Sequence, residues 1–338
     1  MMKLNITFFF TVVLSFCSFS QIKVNIADFG GIADGMTNNN QAITNAINHL
    51  NILGGGVLEF GTGEYVSFDT LAESSVLIRN ARNISFVGNQ TILKGIYGVN
   101  SSKVLFYFDN LIDCTFSDII FSGEYQIDFD TVKTEYFNPR FNMVTGFNVA
   151  DTLKNVTFEN CDFKYFGGVA FNAYGVSENV KFSNCGFVGA IKDLSLFPNI
   201  QPCGILFGGN NGHTNIKIQG CNFSNFIDIS GTNNAHGIYL KHTKFADVTG
   251  NSFFVNDYFD VNFMPNGGIQ IYNGVNEYIK VDKNSFVNTH NYLYSTIFST
   301  WSNNSFEDSK IDIKASFVNL VDNDFSVKQQ INSNAVLF

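Results

Sequence analysis

Apolar residues in this chain recur at every second position over short runs. GVAFNAYG (Gly168 to Gly175), GILFGGN (Gly204 to Asn210), HGIYLKHT (His236 to Thr243) and GGIQIYNG (Gly267 to Gly274) each place aliphatic or aromatic side chains two apart. Period two is the mark of a strand with one buried face. A second set of runs interleaves with the first: NVTFENCDF (Asn155 to Phe163), NVKFSNCGF (Asn179 to Phe187) and NIKIQGCNF (Asn215 to Phe223), then the shorter DVTGNSF from Asp247, IKVDKNSF from Ile279 and NLVDNDF from Asn319. Aligned on their closing Phe, these copies carry Cys161, Cys185, Cys221, Asn251, Asn284 and Asn323 two positions before it. One structural site is therefore visited repeatedly.

Alternating runs that return at intervals of roughly 20 to 36 residues, with no helix-length pattern between them, describe a solenoid whose coils stack on their neighbours. Each coil reads as a strand, a short turn, a second strand, a tight Asn or Cys corner, the Phe, and a loop of variable length. The predicted fold class is all-β, a single parallel β-helix. Equivalent side chains then lie above one another at the strand spacing of about 4.8 Å, so a Phe file and an Asn/Cys file should run down the interior. NISFVGNQTI (Asn83 to Ile92) and CTFSDIIF (Cys114 to Phe121) read as early, degenerate coils with Asn89 and Ile119 at the ladder site, and SNNSF (Ser302 to Phe306) as a shorter turn near the C-terminal end.

Composition fits such a core. Only 14% of residues are charged, 45% are hydrophobic and 38 are Phe, as expected where strands bury alternate side chains. The formal charge of -9 argues against a nucleic-acid partner, which needs a basic surface. At the N-terminus, Lys3, an apolar stretch from Ile6 to Phe16, and small residues Ser18 and Ser20 before Gln21 form a secretory signal pattern over residues 1–20. That stretch is too short to span a bilayer, so an exported, secreted or periplasmic protein without a membrane span is expected. Cys114, Cys161, Cys185, Cys203 and Cys221 remain beyond the signal segment, an odd number without a CxxC spacing. Three occupy the ladder site, as small buried hydrophobes rather than metal ligands.

The segment from Val24 sharpens the picture. Asp28, Phe29, Gly30, Asp34, Gly35, the stretch Gln41 to Leu50, Gly54 to Gly56, Gly63 and Tyr65 resemble the N-terminal cap of the pectate-lyase-like, right-handed parallel β-helix superfamily, shared by polysaccharide lyases, polygalacturonase-like hydrolases and tailspike-like proteins. Asn38 to Asn40 stand where that family usually has acidic residues, and Gly61 where it has Pro. Independently, Ala42, Ile43, Ala46, Ile47 and Leu50 share one helical face, so a short amphipathic helix can close the open end of the stack, with Thr37 or Asn38 to Asn40 as caps. The expected organisation is one β-helix domain over 21–338, with a cap over about 24–65 and an insertion over about 123–143.

The resemblance implies a polysaccharide substrate lying in a groove formed by the first strand of each coil. Parity along those strands turns Asn172, Tyr174, Leu206, Gly208, Tyr239, Lys241, Gln270 and Tyr272 outward, a strip of aromatic and amide groups suited to sugar faces edged by hydroxyls. Asn172, Tyr174, Gln270 and Tyr272 are candidate substrate contacts, joined by Arg140 from the insertion. The densest chemistry is His236, Tyr239, Lys241 and His242. Lyases of this superfamily withdraw the proton beside a uronate carboxylate with a Lys, Arg, Tyr or His base while cations stabilise the enolate. Tyr239 and Lys241 share the outward face; parity turns His236 and His242 inward, at strand ends. Glycoside hydrolysis, which needs two carboxyl groups, would draw on Asp228, Asp257 and Asp260, with Asp193 as a fourth and weaker candidate. The same aspartates are the candidate Ca²⁺ ligands, and no other cofactor is implied. A polysaccharide lyase is the leading expectation; a hydrolase, or a non-catalytic glycan-binding or structural β-helix, are the alternatives. Oligomeric state is not written in any of these patterns.

Overall fold

A computed structural model of the chain describes residues 21–68, 74–96, 104–123, 145–189, 191–192, 201–228, 235–255 and 267–326. The expected signal segment, residues 1–20, and the expected insertion over 123–143, apart from Gly123, lie outside them. Nearly every strand pairs in parallel with the equivalent strand of the next coil. Equivalent residues are separated by 42, 24 and 36 positions along Asp113, Asn155, Asn179 and Asn215. The separations are 30, 33, 20 and 19 along Cys221, Asn251, Asn284, Asn304 and Asn323. Length varies freely because only the strands must keep register; the loops are solvent-facing.

Each coil holds three strands, not two. Val169–Ala173, Val176–Ser183 and Gly186–Val188 make one such turn, and the repeated Phe lies in the third. Three residues are too few to show a period, which is why the sequence reads this strand as a corner. The Phe file is continuous: Phe121, Phe163, Phe187, Phe223, Phe253, Phe286, Phe306 and Phe325 stack with centroids 4.6 to 5.0 Å apart. A second file, Phe86, Phe116, Phe158 and Phe182, packs beside it in the earlier coils.

The ladder site runs Thr91, Ile119, Cys161, Cys185, Cys221, Asn251, Asn284, Asn304 and Asn323. Two corrections follow. In the first coil the register shifts between Val87 and Thr91, leaving Asn89 exposed and placing Thr91 at the ladder, its Oγ1 donating to Gly61 O at 2.9 Å. Asn304, absent from the sequence alignment, is a full member. The Oδ1 of Asn284 accepts from both the backbone N–H and Nδ2 of Asn251 at 2.9 Å, and Asn304 repeats this toward Asn284 at 2.9 and 3.0 Å. Buried amides are thereby satisfied from coil to coil.

The N-terminal end is closed by the helix Asn40–Ile52, which buries Ala42, Ile43, Ala46, Ile47 and Leu50. Its cap residue is Asn39, yet the Asn39 side chain does not cap the helix. It binds Ile32 N and the Ile32 and Thr37 carbonyls, tying the preceding loop down. Gly55 is required sterically: at φ +126° a Cβ would lie 2.4 Å from Asn83 O.

Candidate functional site

Parallel register carries the outward residue of each first strand into a single column. From N- to C-terminal coils it reads Tyr107, Asn148, Asn172, Leu206, Tyr239, Gln270, Tyr292 and Asp312. The neighbouring outward positions bring Tyr174, Gly208, Lys241, Tyr272, Tyr294 and Lys314 beside it. Six residues expected from the sequence, Asn172, Tyr174, Tyr239, Lys241, Gln270 and Tyr272, therefore lie on one face of the stack.

The column contains a relay that sequence reasoning missed. The Tyr292 hydroxyl lies 2.6 Å from Nδ1 of His290, and Nε2 of His290 lies 2.9 Å from Oδ2 of Asp312. A carboxylate only accepts, so Nε2 carries the imidazole proton and Nδ1 accepts from the phenol. Burial holds His290 down at about 4, assisted by Lys310 and opposed by Asp312. The ring is therefore neutral at neutral pH, consistent with that assignment. Burial raises the Tyr292 phenol well above its ordinary range. Burial also raises Tyr239, whose hydroxyl accepts from Asn273 Nδ2 at 3.3 Å. HNYLY (His290 to Tyr294) does show period two and precedes the Phe306 copy, but reading SNNSF as a shorter turn leaves this strand out of the expected set. Asp312, twenty-two residues beyond His290, lies between Ile311 and Ile313 in the strand Lys310–Val321, and register alone brings it to His290.

Between the two phenols sits Gln270, 9% exposed, whose Oε1 is buried with no hydrogen-bond partner among the described residues. Asn172 Oδ1 is in the same condition further along the column, while its Nδ2 donates to Asn148 Oδ1 at 3.1 Å. A buried acceptor without a protein donor is costly, and a ligand hydroxyl can supply the bond. Lys241 Nζ donates to Asn210 Oδ1 at 3.1 Å, and Lys314 lies 5.0 Å over the Tyr294 ring. Neither lysine has a carboxylate partner among the described residues, so the wall beside the phenols is cationic.

The two histidines of the sequence cluster separate. His236 is fully buried in the floor, its ring 5.9 Å from Tyr239 and 6.5 Å from Tyr292. His242 adopts a left-handed backbone, φ 50°, packs against Gly274, and accepts from Val275 N at 3.4 Å. That ring props the next turn. Arg140, Asp193, Asp257 and Asp260 lie outside the described residues, and Asp228 is described only as backbone in the strand Ile227–Asp228. Among the described residues no group of His, Cys, Asp and Glu could hold a metal ion, and no helix is long and apolar enough to cross a membrane. The five cysteines among the described residues are free and buried, with Cys114 and Cys161 pushed up to about 12 by burial.

No family model and no curated relative matches the chain. Solved structures do. Tailspike protein gp49 of the Acinetobacter baumannii bacteriophage Fri1, a capsular polysaccharide depolymerase, is 10% identical with a TM-score of 0.50, over 89% of this chain and 58% of that one. The Streptococcus pneumoniae surface protein and adhesin PfbA is 15% identical with a TM-score of 0.44, over 91% and 99%. The A-module of an Azotobacter vinelandii mannuronan C-5 epimerase is 12% identical with a TM-score of 0.40, over 93% and 100%. At such identities the likeness is one of architecture: the chain is a parallel β-helix.

Proposed function

We propose that this chain is an exported polysaccharide lyase that cleaves a uronate-containing glycan by β-elimination in the groove formed by Tyr239, Gln270 and Tyr292. The observation that carries this reading is the hydrogen-bonded series Tyr292, His290, Asp312. A phenol is a poor base until its proton has somewhere to go. Here His290 Nδ1 takes it in the same step in which the phenol oxygen receives the proton beside the uronate carboxylate, so no free phenolate builds up against the burial that raises Tyr292 and lowers His290, and Asp312 stabilises the imidazolium that results. The bond between the neighbouring carbon and the glycosidic oxygen breaks, the double bond forms, and Tyr239, whose backbone is about 10 Å from that of Tyr292 across two strand spacings, donates its proton to the leaving oxygen. Lys241 and Lys314 offset the carboxylate charge that grows as the enolate forms. Gln270 Oε1 accepts from a sugar hydroxyl.

Hydrolysis is less well supported by this groove, since it needs two carboxyl groups flanking the bond. Around Tyr239 and Tyr292 the described residues of the column supply only Asp312, which is engaged by His290. A purified chain is tested on polygalacturonate, alginate and hyaluronan by absorbance at the unsaturated-uronate band, and on neutral glycans by reducing-sugar release. New absorbance that Tyr292→Phe abolishes is the expected result. Reducing ends without absorbance would assign a hydrolase, and silence in both with retained binding a non-catalytic glycan-binding β-helix.

A further inference from the structure

The corner in the middle of the second strand is left-handed in every coil, and its occupant changes character along the solenoid. Asn83, Asp113, Asn155, Asn179 and Asn215 hold it first, at φ 52 to 55°. Asn155, Asn179 and Asn215 each donate to the preceding member at 2.7 to 3.0 Å, an exposed ladder of amides. Asn tolerates this conformation because its short polar side chain compensates locally. From the next coil onward the same corner is occupied by Phe245, Tyr278, Phe298 and Phe317, at φ 56 to 58°. Aromatic residues are poorly suited to left-handed backbone, and these are not sheltered: they are 54, 47, 49 and 73% exposed. The fold does not need them, since Asn makes the same corner in three successive coils at Asn155, Asn179 and Asn215.

The rings form one ridge, with centroids 5.2, 5.4 and 5.2 Å apart and planes within 21°. The buried file from Phe163 to Phe306 keeps 4.8 Å throughout. Wider spacing on the same strand repeat means that the exposed rings are slipped past one another, leaving part of each face uncovered. The Lys244–Glu277 ion pair, 3.0 Å, neutralises the charges beside the first two rings. Four half-exposed rings offer roughly 400 Å² of apolar surface, given about 150–250 Å² for a whole aromatic side chain. A stable protein interface needs about 800 Å² per partner, and a ridge one ring wide is not such a patch. It is long and narrow, which suits a linear chain of pyranose rings whose C–H faces lie on aromatic faces.

We propose that Phe245, Tyr278, Phe298 and Phe317 form a second, non-catalytic binding strip for a polysaccharide chain running along the solenoid, independent of turnover in the groove. The test replaces all four by Asn, extending the ladder already present, and confirms folding by far-UV circular dichroism. Native affinity gels containing polygalacturonate, alginate or xylan measure retention. The expected result is retardation of the parent by at least one polymer and at least a tenfold weaker retention of the variant, with turnover of short soluble oligosaccharides unchanged. Tyr292→Phe should lose turnover and keep retention, which separates failure of the groove assignment from failure of this one. Should the fourfold variant not fold, Phe317→Asn at the most exposed ring is expected to give a partial loss. Equal retention of parent and variants, or a parent retarded by no polymer, overturns the proposal. A change in sedimentation without a change in retention overturns it in favour of contact between copies of this chain.

Discussion

The hydroxyl of Tyr292 stands 2.6 Å from Nδ1 of His290, although the residue between them points away from both. Residues two apart on a strand share a face, so the pair is local; the carboxylate that completes it, Asp312, comes from the next coil and is positioned only by register. If this relay governs proton transfer, Tyr292→Phe and His290→Gln should each lower kcat by about 10²–10⁴-fold with little change in KM. Asp312→Asn should move the pH profile as well as the rate, because an amide in place of the carboxylate favours the other imidazole tautomer. Steady-state kinetics across pH on the substrate that gives absorbance checks all three.

His213 and His290 both titrate near 4 in the folded chain, in each case first because burial disfavours the cation. Their ordinary value is 6.5, so as pH falls the unfolded chain takes up protons before the folded one. Their contribution to stability is complete above pH 6.5 and is lost progressively down to pH 4, on the order of 3 kcal/mol for each group from a shift of this size. Urea midpoints measured from pH 7.5 to 4 should decline through this window. The decline should flatten in His213→Asn, which removes one titrating ring along with its bonds to Ser177 Oγ and Gly208 O.

Asn284 lies in the middle of the buried amide ladder. Its Oδ1 serves two donors of Asn251, and its Nδ2 reaches Val248 O at 2.9 Å. Asn284→Ala strands those groups and should destabilise by about 2–4 kcal/mol, a little above the ~1–3 kcal/mol expected for one buried polar group left unsatisfied. Asn284→Cys should cost less, since Cys161, Cys185 and Cys221 fill the same site in earlier coils. Denaturant titration of the two variants gives the comparison.

Phe187 is stacked between Phe163 and Phe223 at 4.8 Å on each side. Phe187→Ala opens a cavity in a dry file and should cost about 3–5 kcal/mol, whereas Phe187→Leu keeps most of the volume and should cost less. Thermal unfolding followed by fluorescence or calorimetry distinguishes them.

The repeat, the capping helix and the Phe file are legible in the sequence because each is local. Alternation along one strand, five apolar residues on one helical face, and a Phe recurring after a Cys or Asn all follow from side-chain periodicity that a single coil already displays. The three-residue third strand is too short to carry such a signal. The Thr91 ladder site was misassigned to Asn89 because two extra residues between Val87 and Thr91 shift the register, and inserted residues do not announce which side of a corner absorbs them.

What the sequence determined by itself was the architecture and the outward face of the coils at Asn172, Tyr239, Gln270 and Tyr272. Only the tertiary structure decided which residues meet across coils. It joined Asp312 to His290 and Tyr292, set Gln270 Oε1 between two phenols without a donor, turned His242 onto Gly274, and lined up Phe245, Tyr278, Phe298 and Phe317 in the open. The reason is physical: periodicity fixes the direction in which a side chain leaves its own strand, whereas its neighbours are fixed by the number of residues spent in each loop, and loop length varies here at little energetic cost.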